Sequence, residues 1–309
     1  MRFEGQAALV TGAGSGIGKA AALELAREGA RVGVLSRTTA EIEQTVAEIE
    51  AAGGQAMALT ADVSQADQVS AAVDALVAAY GRLDIVFANA GINGVWAPVE
   101  EITPEEWDTT IDINLKGTFL TVKYSVPHLK RAGGSIAICS SVQGTRMFSV
   151  TGSSVYAASK AAQVTFAKKL AVELGPARIR VNAVCPGWFA TEIDENTFPR
   201  NAASIEMRAD RSDFPRGSIP LTGGKAGDPA QVGKLVAFLA SDDARHISGT
   251  EVWIDGAESL LIGCPVVCAA TAPRTPGRCP PRSRPRRRCA RPARAPASAP
   301  PRPPRPGRC

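Results

Sequence analysis

The sequence predicts an α/β protein built on a parallel β-sheet, and three observations predict it. Short apolar runs alternate with helix-length segments from Ala7 to Ile254, the order that produces β-α-β units. The first apolar run ends in a glycine cluster that opens directly into a helix, Gly12-Ala-Gly-Ser-Gly-Ile-Gly18. Such a turn offers backbone N–H groups and a helix N-terminus to a phosphate. The chemically unusual segments also fall just after strands, the edge at which open α/β sheets bind their ligands.

Taken in order, Ala7–Thr11 is a buried strand and Lys19–Glu28 a helix of good helix formers. Arg31–Ser36 is a second strand, Thr39–Ala52 a helix and Gln55–Thr60 a third strand. Ser64–Tyr80 is a long helix, Leu83–Phe87 a fourth strand, and helix in two pieces spans Pro104–Arg131. Ser135–Cys139 is the fifth strand, Val155–Leu174 a helix, and Ile179–Val184 a sixth strand stopped by Pro186-Gly187. Pro229–Ala240 is the last helix and Thr250–Ile254 the last strand. Trp188–Gly227 lacks periodicity and contains Trp188, Phe189, Phe198, Met207 and Phe214, so it reads as a lid over a substrate.

Composition divides the chain near Gly263. Residues 264–309 hold 12 Arg, 13 Pro and 5 of the 7 Cys, with no Asp, Glu or Lys. Without those 12 arginines the 35 basic residues fall to 23 against 30 acidic ones. The formal charge of +5 therefore belongs to the tail, and the body, residues 1–263, carries about −7. A segment of Pro, Arg, Ala and Cys cannot bury a core, so the tail is expected to be a disordered, dispensable extension. Nucleic acid is an expected partner only through non-specific contact with Arg282–Arg288. No apolar run reaches the ~20 residues of a membrane span, and Met1–Gly5 lacks an apolar leader. With Cys139 and Cys185 in apolar strands, a cytoplasmic setting is expected. His128 and His246 have no metal-binding partners in the sequence, and no metal is expected.

Ser141, Tyr156 and Lys160 carry the candidate chemistry. Residues four apart share a helix face, which sets a phenol beside an ammonium. A free tyrosine ionises near ~10, and a neighbouring cation lowers that value. Ser141, just past a strand, can hold the carbonyl oxygen that Tyr156 protonates.

With these residues together, the chain resembles the short-chain dehydrogenase/reductase family over roughly residues 3–262. The matching motifs are T-G-A-G-S-G-I-G (Thr11–Gly18), Asp62-Val63, Asn89-Ala90-Gly91, Asn114, Ser141, Y-x-x-x-K (Tyr156, Lys160) and P-G-x-x-x-T (Pro186, Gly187, Thr191). The resemblance implies a Rossmann-type doubly wound sheet of seven strands, helices on both faces, and a nicotinamide dinucleotide along its C-terminal edge. It implies Tyr156 as general acid/base, Ser141 as holder of the oxygen, and Lys160 lowering the tyrosine pKa and holding the nicotinamide ribose. Asn114 would anchor a water of the proton relay, Asp62 would meet the adenine, and Thr191 the carboxamide. Gly12, Ser15, Gly16, Ile17 and Gly18, with Val63, Ala90 and the other motif residues, would border the cofactor. Ser140 rivals Ser141, although S-x-x-G into Gly144 favours Ser141. The interval from Ser141 to Tyr156 is long for the family, which implies an enlarged loop over the substrate.

Ser36-Arg37 ends the second strand with a cation where an acid would select NAD, the nearest acid being Glu41 in the next helix. An arginine pairs with the 2′-phosphate of NADP, so NADP is expected ahead of NAD. Gln143, Phe148, Trp188 and Phe189 are the expected substrate contacts, lining a partly apolar cleft for a small carbonyl or secondary alcohol. The family implies a homotetramer built partly by the Tyr156 helix and the last strand. Two other readings compete: a catalytically silent dinucleotide-binding regulator, which an intact Asn–Ser–Tyr–Lys set disfavours, and a nucleic-acid-associated protein acting through its tail.

Overall fold

The computed structural model describes residues 1–200 and 219–261. Met207 and Phe214 of the expected lid, and the tail 264–309, lie outside the described residues. The chain divides into two units, Met1–Val266 and Val267–Cys309, and the sheet with its helices belongs to the first.

Seven strands build the sheet: β1 (Ala7–Thr11), β2 (Arg31–Ser36), β3 (Gln55–Thr60), β4 (Ile85–Ala88), β6 (Gly134–Cys139), β7 (Ile179–Pro186) and β9 (Glu251–Ile254). Their order is β3-β2-β1-β4-β6-β7-β9, and every neighbouring pair is parallel. The chain winds outward from β1 in one direction and from β4 in the other, so the switch point falls between those two strands. Among the described residues seven helices connect the strands: α1 (Gly16–Arg27), α2 (Thr39–Ala51), α3 (Ala66–Tyr80), α4 (Pro104–Ile111), α5 (Gly117–Leu129), α6 (Ser154–Leu174) and α7 (Pro229–Ala240).

Alternation along the strands makes two cores. Leu9 of β1 packs with Leu76 of α3, Leu120 of α5 and Leu170 of α6. Its neighbours Ala8 and Val10 pack with Leu25 of α1, Ile49 of α2 and Val236 of α7. The sheet is thus buried on both faces, which is why its strands read as continuous apolar runs. The helices α1 and α7 approach closely at Gly233, where a Cβ would lie 2.7 Å from the Ala20 carbonyl oxygen.

The fourth strand begins at Ile85 rather than Leu83, and the sixth runs on to Pro186. Two three-residue strands, β5 (Gly94–Trp96) and β8 (Thr197–Pro199), pair in parallel in a second small sheet. Three residues are too few to show periodicity, and both lay inside stretches read as loops. Between Pro104 and Leu129 the two helices join through a π-turn, Asp112–Lys116. Thr103 starts that run with a reciprocal capping box to Glu106 and Pro104 in the first turn.

Candidate active site

The C-terminal ends of β1, β2, β3, β4, β6, β7 and β9 open onto one cleft of about 770 Å³. Of the sequence-predicted site residues, Gly12, Ser15, Gly16, Ile17, Ser36, Arg37, Asp62, Val63, Asn89, Ala90 and Gly91 line its cofactor half. Ser141, Gln143, Tyr156, Lys160, Pro186, Gly187, Trp188, Phe189 and Thr191 line it as well. Three others do not. Gly18 lies beneath the loop, where a Cβ would collide with the Gly12 carbonyl and lie 2.6 Å from Asn89 Nδ2. Asn114 stands behind the wall at Gly91, its Oδ1 3.2 Å from where a Gly91 Cβ would be. Phe148 is a correction: it is 72% exposed and lines no part of the cleft. An apolar residue in a long loop carries no sequence signal for the side it faces.

The glycine loop is shaped by need. Gly12 and Gly16 have φ of +64° and +51°, and a Cβ on Gly16 would press Thr191 Cγ2 at 3.0 Å. Asn89 braces the loop from β4, its Nδ2 donating to the Thr11 carbonyl (3.0 Å) and the Gly12 carbonyl (3.3 Å). Asp62 caps its own turn, its Oδ1 accepting from the Ser64 N–H (2.9 Å) and hydroxyl (2.8 Å). A backbone cradle that admits no side chains, at the head of α1, fits a pyrophosphate. Arg37 lines the same end, is exposed, and makes no ion pair among the described residues. Glu41 was read only as an acid of the following helix, yet it packs its carboxylate against Gly14 and lines the cleft.

At the other end, α6 sets Tyr156 and Lys160 on the face turned to β6. Tyr156 is 7% exposed and lines the cleft together with Ser141, whose hydroxyl favours the ionised form of the phenol. Ser141 Oγ also accepts from the Gln143 N–H at 3.2 Å. Ser140 is excluded as its rival, because its hydroxyl donates to the Lys160 carbonyl at 2.8 Å. Lys160 Nζ donates to the Cys139 carbonyl at 2.8 Å and sits 5.6 Å from the Tyr156 ring centroid. Burial raises the Tyr156 pKa above its ordinary 10.0, and the Ser141 hydrogen bond only partly opposes it. Burial likewise lowers the Lys160 pKa. Desolvation thus acts on the two groups in opposite directions, raising the phenol and lowering the ammonium.

Asn114 is held at both ends. Its Nδ2 donates to the Ile92 carbonyl (2.9 Å) and Ser159 Oγ (3.0 Å), and its Oδ1 accepts from the Ile92 N–H (2.8 Å). Its backbone carbonyl accepts from Thr118 Oγ1 and Gln163 Nε2, each at 2.7 Å. These bonds leave a second contact on Oδ1 as the place for the water expected there.

Asn93, Trp96 and Met147 line the cleft as well, and the sequence reading missed Ile193 and Glu258. Glu258 follows β9 as the other site segments follow their strands, so the same edge rule extended to the last strand points to it. Its Oε2 accepts from the Trp188 N–H at 2.9 Å, and burial raises the pKa of its carboxyl. The exposed Arg146 stacks on Trp253, its guanidinium 3.4 Å from the ring centroid. Among the described residues no group of three or more His, Cys, Asp or Glu could hold a metal, and no helix is long and apolar enough to cross a membrane.

A phosphate cradle at one end of a cleft and a pair of hydroxyls able to protonate a carbonyl oxygen at the other are the working parts of a nicotinamide-dependent oxidoreductase. The chain belongs to the short-chain dehydrogenase/reductase family. Residues 12–257 match the family described as enoyl-(acyl carrier protein) reductase. It is 37% identical to a 3-oxoacyl-[acyl-carrier-protein] reductase of Thermotoga maritima, over 83% of this chain and 98% of that one. It is 35% identical to a cyclohexanol dehydrogenase of an Acinetobacter species, over 83% and 96%. Among solved structures, a 3-ketoacyl-ACP reductase from Sinorhizobium meliloti is similar at 51% identity and a TM-score of 0.77, over 82% of this chain and 99% of that one. A 3-ketoacyl-(acyl-carrier-protein) reductase from Brucella melitensis, complexed with NADH, is 33% identical (TM-score 0.72; 83% and 99% covered). A short-chain dehydrogenase from Burkholderia cenocepacia, in complex with NADP, is 35% identical (TM-score 0.71; 84% and 99% covered). The protein is an NAD(P)-dependent dehydrogenase/reductase.

Proposed function

We propose that the protein interconverts a ketone and a secondary alcohol, with NADP preferred to NAD and Tyr156 as general acid/base. The observation that carries this reading is that Ser141, Tyr156 and Lys160 line one cleft, with Tyr156 buried in its wall one helical turn from Lys160. The nicotinamide, when bound, supplies or accepts a hydride. The chain's own residues handle the oxygen. Ser141 donates a hydrogen bond to it and Tyr156 delivers the proton. Asn114 fixes the Gly91–Ile92 wall opposite Lys160.

Trp96, Met147, Trp188, Phe189 and Ile193 make the substrate end partly apolar. A 3-oxoacyl thioester and a cyclic ketone both suit it, in keeping with the relatives' names. Oxidation of NADPH and NADH by the full-length protein, followed by absorbance over a panel of ketones, aldehydes and 3-oxoacyl thioesters, tests the assignment. No turnover across the panel despite tight cofactor binding would favour a binding protein instead.

The cofactor preference rests on Arg37, a cation just past the end of β2 with no ion pair among the described residues. A charge-assisted hydrogen bond of about 1.5–3 kcal/mol corresponds to roughly ten- to hundredfold in affinity. Arg37→Ala is expected to raise the NADP Michaelis constant about tenfold or more and to leave that for NAD within about twofold. If both constants stay put, Arg37 is a surface charge and the preference is unsupported. The reading extends to a homotetramer, measurable by gel filtration of the full chain, and to residues 1–263 as the working unit, with 264–309 an appendage whose removal leaves turnover unchanged.

A further inference from the structure

Helix α6 carries a buried amide that the chemistry above does not use. Gln163 is 0% exposed, among apolar neighbours of the same helix such as Val164 and Ala167. Burying a glutamine takes about 1.5–2 kcal/mol of side-chain freedom and strips water from its amide, so a residue chosen for packing alone would be apolar. The amide nitrogen has a defined task. It donates to the backbone carbonyl of Asn114 and to Thr118 Oγ1, both at 2.7 Å. An amide oxygen in its place would face that carbonyl oxygen repulsively, which fixes the orientation. The other end, Oε1, is buried without a partner, a deficit tolerated so that the nitrogen can reach its acceptors.

The carbonyl it reaches lies in the π-turn Asp112–Lys116. One turn earlier on α6, Ser159 Oγ accepts from Asn114 Nδ2 at 3.0 Å and donates to the Tyr156 carbonyl at 2.7 Å. Two side chains four residues apart therefore grip one asparagine, Ser159 by its side chain and Gln163 by its backbone. The helix they belong to also presents Tyr156 and Lys160. Lys160 Nζ and Asn114 Oδ1 approach the same point over Gly91, at 3.4 and 3.2 Å.

We propose that Gln163 is a positioning residue: it locks the Asn114 turn in register with the helix that bears Tyr156 and Lys160, and so sets the polar wall of the active site. This rests on the reading of Tyr156 as the proton donor. A fault in that register acts on turnover and not on binding of substrate or cofactor.

The test uses full-length protein carrying Gln163→Met, which fills nearly the same volume without a donor, and Gln163→Glu, whose carboxyl donates to the Asn114 carbonyl only when protonated. Gln163→Met is expected to lower kcat about tenfold, the loss of roughly one hydrogen bond of 1.4 kcal/mol. KM, and dinucleotide affinity measured by fluorescence titration, should stay within about twofold. Gln163→Glu should regain kcat as the pH is lowered, a profile the wild type lacks. Full kcat in Gln163→Met, or a Gln163→Glu profile parallel to wild type, overturns the proposal. If Gln163→Met does not fold by circular dichroism, Thr118→Val removes a second donor to the same carbonyl, and an unchanged kcat there overturns it equally. Tyr156→Phe runs alongside: full activity in that variant removes the catalytic reading itself, whereas its inactivity with a wild-type Gln163→Met removes the positioning role alone.

Discussion

Tyr156→Phe is expected to lower kcat about a thousandfold in either direction, within the ~10²–10⁴ that a positioned proton donor contributes. The ring is buried and its volume is kept, so the fold and dinucleotide binding should survive, and fluorescence titration should return a wild-type affinity. The variant also has a signature in stability. The folded Tyr156 pKa lies above its ordinary 10.0 because of burial. Above pH 10 the unfolded chain has released a proton that the folded protein still holds, so stability falls as pH rises through that window. Phenylalanine has no such proton to release. The Phe variant should therefore resist alkaline unfolding better than wild type while being nearly inactive. Turnover retained in Tyr156→Phe would remove the tyrosine from the chemistry, and matching alkaline profiles would remove the burial argument.

The second large effect concerns Lys160. Its side chain is buried, its pKa is lowered from 10.5 by desolvation, and among the described residues its ammonium donates to the Cys139 carbonyl at 2.8 Å. A desolvated ammonium opposes folding by several kcal/mol, against about 1–3 kcal/mol from that hydrogen bond. The sign follows from proton binding. Below 10.5 and above the lowered folded value, the unfolded chain carries a proton the folded protein lacks, so stability rises with pH across that window, and at lower pH the opposition is present in full. Lys160→Met is thus expected to melt no lower than wild type at neutral pH, yet to lose about a hundredfold or more in kcat, because the cation beside Tyr156 is gone. A steep fall in melting temperature with turnover preserved would make Lys160 a structural residue.

The sheet was legible because its strands are buried on both faces: Leu9 and Val10 serve opposite cores, leaving no polar face to blur the runs. The glycine loop and the Tyr156–Lys160 pair were legible because each depends on spacing along one segment. Residues that meet only through the tertiary fold were not. Gln163 is one polar letter in a long helix, and nothing local says that it reaches a carbonyl 49 positions away. Phe148 illustrates the opposite failure, an aromatic residue whose exposure is decided by a loop path. Spacing gives the proximity of Lys160 to Tyr156, but burial, which the sequence does not display, also acts on both pKa values.

The small sheet β5–β8 has a consequence for how this enzyme can change. The Arg200 N–H donates to the Trp96 carbonyl at 2.9 Å, and its guanidinium pairs with Glu106 at the start of α4. On the far side Ile219 is 3% exposed, and the Leu221 N–H donates to the Gly256 carbonyl at 3.2 Å. Arg200 and Leu221 are therefore tied to the body independently, one beside the segment that follows Gly91 and the other beside the end of β9. Either contact can change under selection without the other, while the sheet, the glycine cradle and the tyrosine helix go on unaltered.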